Sequence, residues 1–376
     1  MQGAADRLTA EVRQAASLGG RLAPRGSGHW WTDATPGTRP LDCAVAGGLT
    51  RLDAADLVAT AGAGCTLAEL ETGLGEHGAW LALDPPGPRT RTLGGVLGSG
   101  GSGPLAAGFG PPRDQVLGLT IVAGNGQLVR TGGRVVKNVA GFDLAKLVIG
   151  GHGAFGIIVE AHLRLRARPA ADRTRAWALT DAPALAQRLV AAGVTGAAFE
   201  VVNPALAETL GLSRSWTLLL RALGTEDGVE EELDAAAGAL EGGAAGAGSA
   251  APPDVWPRWG DVVGAWPAIV RIGADPAGWG EAARLLEALP RTRGVSVTVP
   301  RGTVRGGFAR LEPEMLRRLR ESCAANRWPV TLERADAATR AAAGIWGGLD
   351  PRVQALAESL RRVFDPNGVF AVPLWA

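Results

Sequence analysis

The ten residues from Gly94 to Gly103, GGVLGSGGSG, constrain the fold more than any other stretch, because six of them are glycine. They contain a G-x-G-x-x-G pattern at Gly98, Gly100 and Gly103. In a nicotinamide-binding fold this pattern closes a strand and opens a helix, and an acidic residue follows about 20 positions later. Here the preceding DPPGPRTRT is rich in turn residues, the following PLAAGFGPPRD does not fit a long helix, and Asn125 stands where an acid is needed. The context therefore argues against a nicotinamide site.

A second glycine segment, RGSGH at 25–29, suggests a different use for these residues. Backbone that packs against a flat ring or a pyrophosphate must lack Cβ, and turns with positive φ are open mainly to glycine. Successive N–H groups in such turns form a concavity that binds anions. The pattern predicts two phosphate-type loops, separated by a strand, a helix and another strand, that hold one long dinucleotide between subdomains.

Periodicity and turn signals divide the chain at about residue 170. The elements predicted before this point are a helix over about 7–17, strands at 57–64 and 79–83, a helix opened by a capping box at Thr66 and Glu69, two strands joined through Asn125-Gly126, and a strand at 157–165 that Pro169 ends.

Beyond residue 172 strands and helices alternate, which predicts a second α+β unit with helices at 182–192 and 226–240. The tract EGGAAGAGSAAPP at 241–253 is predicted to be a flexible linker or surface loop. From AIVRIG to PVTLERA the order β-α-β-β-α-β, with helices near 280–288 and 312–325, is that of a ferredoxin-like unit. Asp350 and Pro351 open a last helix.

Composition excludes several classes of protein. The net charge is +1 without long runs of either sign, which argues against nucleic acid or an anionic membrane as a partner. Three widely spaced cysteines fit neither a disulfide framework nor a metal or iron–sulfur site. No apolar run is long enough for a membrane span and no leader pattern is present, so we expect a cytoplasmic protein whose partners are small molecules or other proteins.

An ordered set of segments carries a resemblance to a known family. The segments are PRGSGHW, DLVATAGAGCTLAELETGLGEHGAWLALDPP, TLGGVLGSGGSG, RDQVLGLTIVAGNGQLVRTGG, VVKNVAGFDLAKLVIGGHGAFGIIVEAHLRLRARP and the terminal FDPNGVF. They cover about 21–169 and the C-terminus. The chain resembles the PCMH-type FAD-binding fold of the vanillyl-alcohol oxidase superfamily, and most closely the GlcE-type subunits of bacterial glycolate oxidase. The run KNVAGFDLAKLVIGGHGAFGIIVE is the most specific part.

The resemblance implies an α+β fold of three parts. A PCMH-type FAD-binding domain with two subdomains would occupy 1–169, a ferredoxin-like α+β cap domain 170–338, and a C-terminal segment at 339–376 would return to the FAD domain. The implied cofactor is FAD, and no metal is expected. The implied cofactor-binding residues are Arg25, Gly26, Ser27, Gly28, His29, Pro85, Gly94, Gly95, Gly98, Ser99, Ser102, Gly103, Lys137, Asp143, Gly153, Gly156 and Ile158.

The chain departs from the family at several positions. His29 replaces a small hydroxyl residue, which leaves two interpretations open: a covalent histidyl flavin, or a neutral imidazole that donates to a phosphate or carbonyl. Phe142 stands where relatives have Tyr, so that hydroxyl is absent. Lys137 either reaches an anionic group of flavin or substrate or is a surface charge, and Lys146 is expected to be solvated.

The acid–base equipment is sparse, because no histidine follows His162 and the chain has no tyrosine. The C-terminal histidine pair and metal that many 2-hydroxy-acid dehydrogenases of the superfamily use cannot be built here. A substrate carboxylate would have to be bound by arginines such as Arg301 or Arg305, unless these lie on a solvated strand edge. No catalytic residue is assigned from the sequence.

Three functions remain as hypotheses. The first is the FAD-binding subunit of a glycolate or D-2-hydroxy-acid dehydrogenase, which takes part in oxidising a 2-hydroxy acid to a 2-oxo acid and passes electrons through flavin to GlcD-type flavoprotein and iron–sulfur subunits, in the cytoplasm or held by them at the inner face of the membrane. The second is a stand-alone FAD-dependent alcohol or sugar oxidoreductase. The third is a non-catalytic scaffold subunit. The sequence fixes neither the substrate, the electron acceptor nor the oligomeric state.

Overall fold

The computed structural model describes residues 2–29, 37–134, 143–244, 248–347 and 350–372. Two separate sheets organise these residues, a five-stranded sheet built from residues 49–164 and a nine-stranded sheet built from residues 171–347. We call the two parts the first unit and the second unit. The mixture of helices and sheets confirms the predicted α+β class.

The elements of the first unit follow in chain order: α1 Gln2–Leu18, β1 Leu22–Arg25, β2 Arg39–Asp42, β3 Leu49–Asp53, β4 Val58–Gly62, α2 Leu67–Gly75, β5 Ala79–Trp80, α3 Leu93–Ser99, α4 Ala106–Phe109, α5 Pro112–Gln115, β6 Val116–Val122, β7 Leu128–Gly132, α6 Leu144–Val148, β8 Ile157–Arg164 and β9 Arg166–Ala167. The five-stranded sheet has the order β3-β4-β8-β6-β7, and all its pairs are antiparallel.

Both faces of the five-stranded sheet are covered, which explains why its strands are rich in buried aliphatic residues. Helices α2, α3 and α6 pack on one face through residues such as Leu70, Val96 and Val148. Helix α1 and the parallel pair β1–β2 cover the other face with the stripe that includes Leu8 and Val12. The capping box at α2 and the hairpin between β6 and β7 lie where the sequence predicts them.

The second unit holds β10 Ala171–Ala178, α7 Ala182–Ala191, β11 Ala198–Val202, α8 Pro204–Thr209, β12 Thr217–Gly224, α9 Glu226–Ala239, β13 Ser249–Ala250, α10 Val255–Gly264, β14 Ala268–Gly273, α11 Trp279–Glu287, β15 Thr292–Thr298, β16 Thr303–Phe308, α12 Pro313–Ala324, β17 Val330–Arg334, α13 Ala337–Ala343 and β18 Trp346–Gly347; α14 Pro351–Phe364 follows.

The nine-stranded sheet consists of two ferredoxin-like halves joined edge to edge. Its order is β13-β10-β12-β11-β15-β16-β14-β17-β18. Within each of the halves β10–β13 and β14–β17 the strand order is fourth, first, third, second, and the halves meet where β11 pairs with β15. Helices α7, α9, α11 and α12 cover one face of the sheet over a large apolar core. The opposite face packs against α8 and α10 through a smaller apolar core, and it also carries polar side chains toward the first unit, as described below.

The sequence interpretation was wrong at two elements. The glycine-rich segment was expected to be a loop, yet Leu93–Ser99 forms helix α3, because Thr92 Oγ1 accepts the Gly95 N–H at 3.3 Å and Gly100, at φ +64°, ends the helix. The tract 241–253 was expected to be a linker or surface loop, but Ser249–Ala250 pairs with β10 as the edge strand of the sheet. Residues 245–247 of this tract lie outside the described residues.

The end of the chain returns to the first unit. Leu360 and Phe364 of α14 pack against the core under the five-stranded sheet. The Asp365 carboxylate accepts the backbone N–H groups of Val369 and Phe370, at 2.8 Å each, and Phe370 forms a bridge with Leu22 of β1.

Candidate functional site

Both glycine segments of the first unit border a single open cleft of about 860 Å³, which we call the glycine cleft. The predicted residues that line it are Arg25, Gly26, Ser27, Gly28, His29, Gly94, Gly95, Gly98, Ser99, Gly153, Gly156 and Ile158. The structure thus brings together two segments that are about seventy residues apart in the sequence.

The two segments touch directly, and the contact depends on glycine. A Cβ at Gly26 would lie 2.2 Å from Thr92 Oγ1, which is far inside any permitted contact. His29 Nε2 lies 2.9 Å from Thr90 Oγ1, so a hydrogen bond also joins the segments at the mouth of the glycine cleft. Side chains larger than hydrogen would force these two walls apart.

Helix α3 presents its glycines in two different ways. A Cβ at Gly94 would lie 2.8 Å from Ala63 Cβ, so this glycine lets α3 approach the end of β4. At Gly98 a Cβ would meet no atom within 4 Å, although this residue lines the glycine cleft. The space above Gly98 is therefore open to a ligand that packs against bare backbone.

The turn from Gly150 to Gly156 closes a third side of the glycine cleft. Three of the residues in it with positive φ are His152 at +53°, Gly153 at +87° and Gly156 at +129°. The His152 N–H donates to the Gly98 carbonyl at 2.8 Å, which fixes this turn to α3. Glycine backbone on three sides fits the diphosphate and ribityl parts of a flavin nucleotide, which need close approach and N–H donors.

Several predicted residues lie elsewhere. Pro85 lines a wider cavity, of about 2990 Å³, on the other side of the 80–89 segment. A Cβ at Gly103 would lie 1.9 Å from the Asp84 carbonyl oxygen, so Gly103 is needed for packing, and the Ser102 carbonyl accepts a hydrogen bond from the second unit. Asp143 precedes α6 and pairs with Lys146 at 3.2 Å, with both side chains more than half exposed. Lys137 and Phe142 lie outside the described residues.

Sequence reasoning missed part of the wall of the glycine cleft. The additional lining residues are Pro24, Cys43, Ala63, Arg91, Thr92, Val148, His152 and Ile157. Thr92 could have been found as a hydroxyl residue before a helix, and His152 as the one large residue in the GGHG run. Burial raises the pKa of the Cys43 thiol to about 12, so it stays protonated at neutral pH.

A group of buried charges, which we call the charged seam, joins the second unit to the glycine-rich segment. It consists of Arg271 on β14, Arg305 on β16 and Glu333 on β17. Arg305 binds Glu333 through two hydrogen bonds, of 2.7 and 3.2 Å, and donates to the Ser102 carbonyl at 3.1 Å. Arg271 binds the same carboxylate at 2.9 Å.

The arginines of the seam shift the pKa of Glu333. Burial on its own would raise the pKa of Glu333, but Arg305 and Arg271 outweigh it and lower the pKa to about 2. Arg305, which the sequence suggested as a ligand for a substrate carboxylate, is 1% exposed and its fork is occupied by Glu333. Arg301 is exposed, in a short 3-10 turn after β15. The arginine of the seam with an accessible side chain is Arg271, at 36% exposure.

Two buried carboxyl groups lie beside the seam. Burial raises the pKa of Glu200, on β11, to about 7, even though it accepts a hydrogen bond from Ser296. Burial likewise raises the pKa of Asp84 to about 7, although the Leu105 N–H donates to it at 3.0 Å. Each of these groups therefore changes charge near neutral pH.

Arg91 and His152 stand at the inner end of the glycine cleft. Arg91 is 2% exposed, and its side chain donates to the Pro86 carbonyl and to Ser99 Oγ. Burial lowers the pKa of Arg91 to about 10, so it remains a cation at neutral pH. Burial, followed by the nearby charge of Arg271, lowers the pKa of His152 to about 4.

The described ranges contain no group of three or more His, Cys, Asp or Glu side chains placed to hold a metal ion. Across the same residues, every helix is too short or too polar to cross a membrane.

Comparison with known proteins bears directly on the glycine cleft. A family described as an FAD binding domain matches residues 3–132, which contain both glycine segments. The chain is 36% identical to the glycolate oxidase subunit GlcE of Escherichia coli over 167 residues, which are 44% of this chain and 48% of that protein. It is 31% identical to the glycolate oxidase subunit GlcD of Bacillus subtilis over 195 residues, 48% of this chain and 40% of that protein.

A third relative is the D-lactate dehydrogenase of Archaeoglobus fulgidus, 36% identical over 115 residues, 30% of this chain and 26% of that protein. The chain thus matches about half or less of the length of these curated relatives. A solved alkyldihydroxyacetonephosphate synthase shares the fold over 97% of this chain and 74% of its own, with a TM-score of 0.69 at 17% identity. The chain carries an FAD-binding domain of the PCMH type, and the predictions of this fold and of FAD as cofactor are confirmed.

Proposed function

We propose that this protein is the FAD-carrying subunit of a dehydrogenase that oxidises a small 2-hydroxy acid to the corresponding 2-oxo acid. The observation that supports this most is the convergence of three glycine segments on one cleft whose inner end meets the charged seam. Bound FAD would supply the two-electron oxidation. The chain itself would bind the cofactor, exclude water and hold the substrate at the seam between the units.

The residues of the glycine cleft divide this work. Backbone N–H groups around Gly26 and Gly28 fit the diphosphate, which needs donors and close approach. Gly98 leaves room for the ribityl chain or the ring. Arg271, the arginine of the seam with an accessible side chain, favours an anionic substrate, because a carboxylate gains charge-assisted hydrogen bonds from a guanidinium group.

The relatives favour a 2-hydroxy acid over other alcohols. Their names include two glycolate oxidase subunits and a D-lactate dehydrogenase. The partners that receive the electrons would be a GlcD-type flavoprotein and an iron–sulfur subunit. Such an assembly would operate in the cytoplasm or hold this subunit at the inner face of the membrane.

The first experiment is purification of the full chain alone, followed by anaerobic mixing with glycolate or D-lactate. Acetate, which lacks the hydroxyl group, is the matched control. A yellow protein whose flavin absorbance is bleached by the hydroxy acids and not by acetate supports a self-sufficient dehydrogenase. A yellow protein that is bleached only after co-purification with a GlcD-type partner supports the subunit function.

Two outcomes would contradict the proposal. Bleaching by sugars or neutral alcohols and not by hydroxy acids would favour the stand-alone alcohol or sugar oxidoreductase. A colourless chain that takes up no added FAD and still captures a GlcD-type partner would favour a scaffold.

The attachment of the flavin at His29 is tested separately. We propose non-covalent binding, because the His29 ring already binds Thr90 Oγ1 at the mouth of the cleft. After acid precipitation the yellow colour should then stay in the supernatant. Colour that stays in the pellet, and is lost from it in His29→Ala, would establish covalent attachment.

A further inference from the structure

His152 lies between the two parts of the candidate site. His152 lines the glycine cleft, and its backbone N–H donates a hydrogen bond to the Gly98 carbonyl of α3. Its ring faces the second unit, where the centre of the Trp346 ring on β18 lies 6.5 Å away at an interplanar angle of 62°. The imidazole therefore reaches from the cofactor side of the site to the cap side.

The backbone at His152 indicates that this placement is held firmly. Its φ of +53° is in the left-handed region, which residues other than glycine adopt infrequently. Flanking hydrogen bonds from Gly150 to Leu97 and from Gly151 to Val148 fix the preceding part of the turn. Such strained positions concentrate at functional sites.

The other three histidines are placed differently. His29 is exposed at the mouth of the glycine cleft and binds Thr90. His77 is exposed in the turn after α2, and His162 lies within β8, where its ring binds Thr60 Oγ1 at 3.0 Å. Among the four histidines, His152 alone combines a position in the cleft wall with proximity to the charged seam.

We propose that His152 is a catalytic residue, the group that accepts the hydroxyl proton of the substrate when its carbon is oxidised. This inference rests on the proposed function. The α-carbon of the 2-hydroxy acid loses its hydrogen with two electrons to the bound cofactor, and the hydroxyl proton passes to the unprotonated imidazole nitrogen. The 2-oxo acid is released, His152 returns the proton to solvent, and the electrons would pass from the cofactor to the partner subunits named above.

The charged groups around His152 shift the pKa of its imidazole. Burial is the main reason why the imidazolium form is disfavoured; the charge of Arg271 on β14 adds to this effect and that of Glu333 on β17 opposes it. The imidazole is therefore unprotonated at neutral pH and can accept a proton. A carboxylate bound beside Arg271 would oppose its charge, so substrate binding would raise the proton affinity of His152 just when the proton is released.

The kinetic test compares His152→Asn with the matched control His77→Asn. Asparagine tolerates the left-handed backbone at position 152, so the fold and the flavin content should be kept. The bleaching of bound flavin by the hydroxy acid should slow by about 10² to 10⁴ in His152→Asn, the usual contribution of a general base. His77→Asn should match the unchanged protein, and KM should change much less than kcat in His152→Asn.

The outcomes separate this inference from the proposed function. If the flavin of His152→Asn is bleached at a rate within about twofold of that of the unchanged protein, the assignment of His152 is overturned and the proposed function is left intact. An unchanged protein, alone or with its partner, that no hydroxy acid bleaches would overturn both.

A second readout does not depend on turnover. With four histidines in the chain, the ring Cε1–H signals are few enough to assign by substitution. The His152 signal should shift when FAD is bound and again when oxalate, an unreactive dicarboxylate, is added, and the His77 signal should not. A His152 signal that responds to neither ligand would place the imidazole away from the reacting atoms and overturn the proposal.

The same spectra test the coupling to Arg271. Arg271→Gln removes the nearby positive charge, so the pKa of His152 should rise from about 4, while burial, the larger cause, keeps it below its ordinary value. Arg271→Lys keeps the charge and should leave the pKa near its original value. Since the unprotonated form is active, the acid limb of the pH profile of kcat/KM should move to higher pH in Arg271→Gln only; an unmoved limb together with an unmoved signal would contradict the coupling.

Discussion

The glycine cleft and the charged seam meet at the same site but are built by different means. The wall of the glycine cleft is largely backbone, and its shape depends on side chains that are absent at Gly26, Gly94 and Gly98. The seam is made of long side chains on strands that are distant in sequence, such as Arg271 and Glu333.

This difference indicates where each region is vulnerable. A larger side chain in the glycine cleft should prevent FAD from binding, while the ligand-free fold tolerates the change. Removing one charge of the seam should lower the free energy of unfolding, because the opposite charge is then left buried without a partner. Substitutions that separate these two responses test the comparison directly.

The largest effect is expected at Gly98. The side chain of Gly98→Leu meets no protein atom at Cβ but enters the glycine cleft, so the affinity for FAD should fall by about a thousandfold or more, equivalent to about 4 kcal/mol. Replacing a helical glycine should not weaken α3, since glycine is disfavoured there by about 0.5–1 kcal/mol. The measurements are flavin fluorescence titration and the Tm of the ligand-free protein.

Gly238→Leu is the matched control for Gly98→Leu. Gly238 lies in α9, outside the cleft lining, and a Cβ there also meets no atom within 4 Å. Its FAD affinity should be unchanged. If Gly98→Leu binds FAD normally, the cofactor does not pass over α3 and the identification of the glycine cleft is wrong.

The next largest effect is expected at Glu333. Glu333→Gln leaves Arg305 buried without its counter-charge, which should lower the free energy of unfolding by about 3 kcal/mol. Because Arg305 and Arg271 hold the pKa of Glu333 at about 2, this contribution is present above the ordinary carboxyl pKa and is lost only as the pH falls through about 2. Urea denaturation at pH 7 and pH 5 should therefore give the same difference between the two proteins.

A surface pair provides the contrast for Glu333→Gln. Glu208 binds Arg214 at 2.7 Å, with both side chains more than half exposed, and Glu208→Gln should cost less than about 1 kcal/mol. Equal losses at Glu208 and Glu333 would mean that burial does not set the strength of the seam.

The two glycine segments that border the cleft could be found in the sequence because their signals are local. Two clusters of glycine, the Thr66–Glu69 capping box and the Asn125-Gly126 hairpin each act over a few residues, and each predicted element is present. Helix α3 was missed because glycine disfavours helices, and only the cap at Thr92 and the contact with Ala63 show why it forms.

The charged seam could not be predicted from the sequence in the same way. Arg305, Arg271 and Glu333 come together because β14 lies between β16 and β17, an order that no local pattern encodes. The first ferredoxin-like half was obscured because its fourth strand, β13, is only two residues long and lies in an alanine- and glycine-rich tract. His152 lies within the GGHG run, but no local pattern encodes the proximity of its ring to Trp346 on β18.

The last effect is a change of stability with pH, expected at Glu200, and it tests whether carboxyl groups beside the seam oppose the stability that Glu333 supplies. Burial raises the pKa of Glu200 to about 7, so the folded protein binds a proton that the unfolded chain releases above its ordinary carboxyl pKa of 4.5. Stability should therefore fall as pH rises from 4.5 to 7, on the order of 1 kcal/mol per pH unit for this group.

Glu200→Gln removes this dependence while keeping the shape of the side chain. Its free energy of unfolding should change less between pH 5 and pH 7 than that of the unchanged protein, and above pH 7 the variant should be the more stable of the two. Asp84 titrates in the same range and its charge raises the pKa of Glu200, so the difference between the two denaturation series reports Glu200 together with its coupling to Asp84. If the free energies of unfolding of the two proteins change equally with pH, Glu200 is ionised throughout this range. The seam would then accommodate a second buried negative charge opposite Arg305.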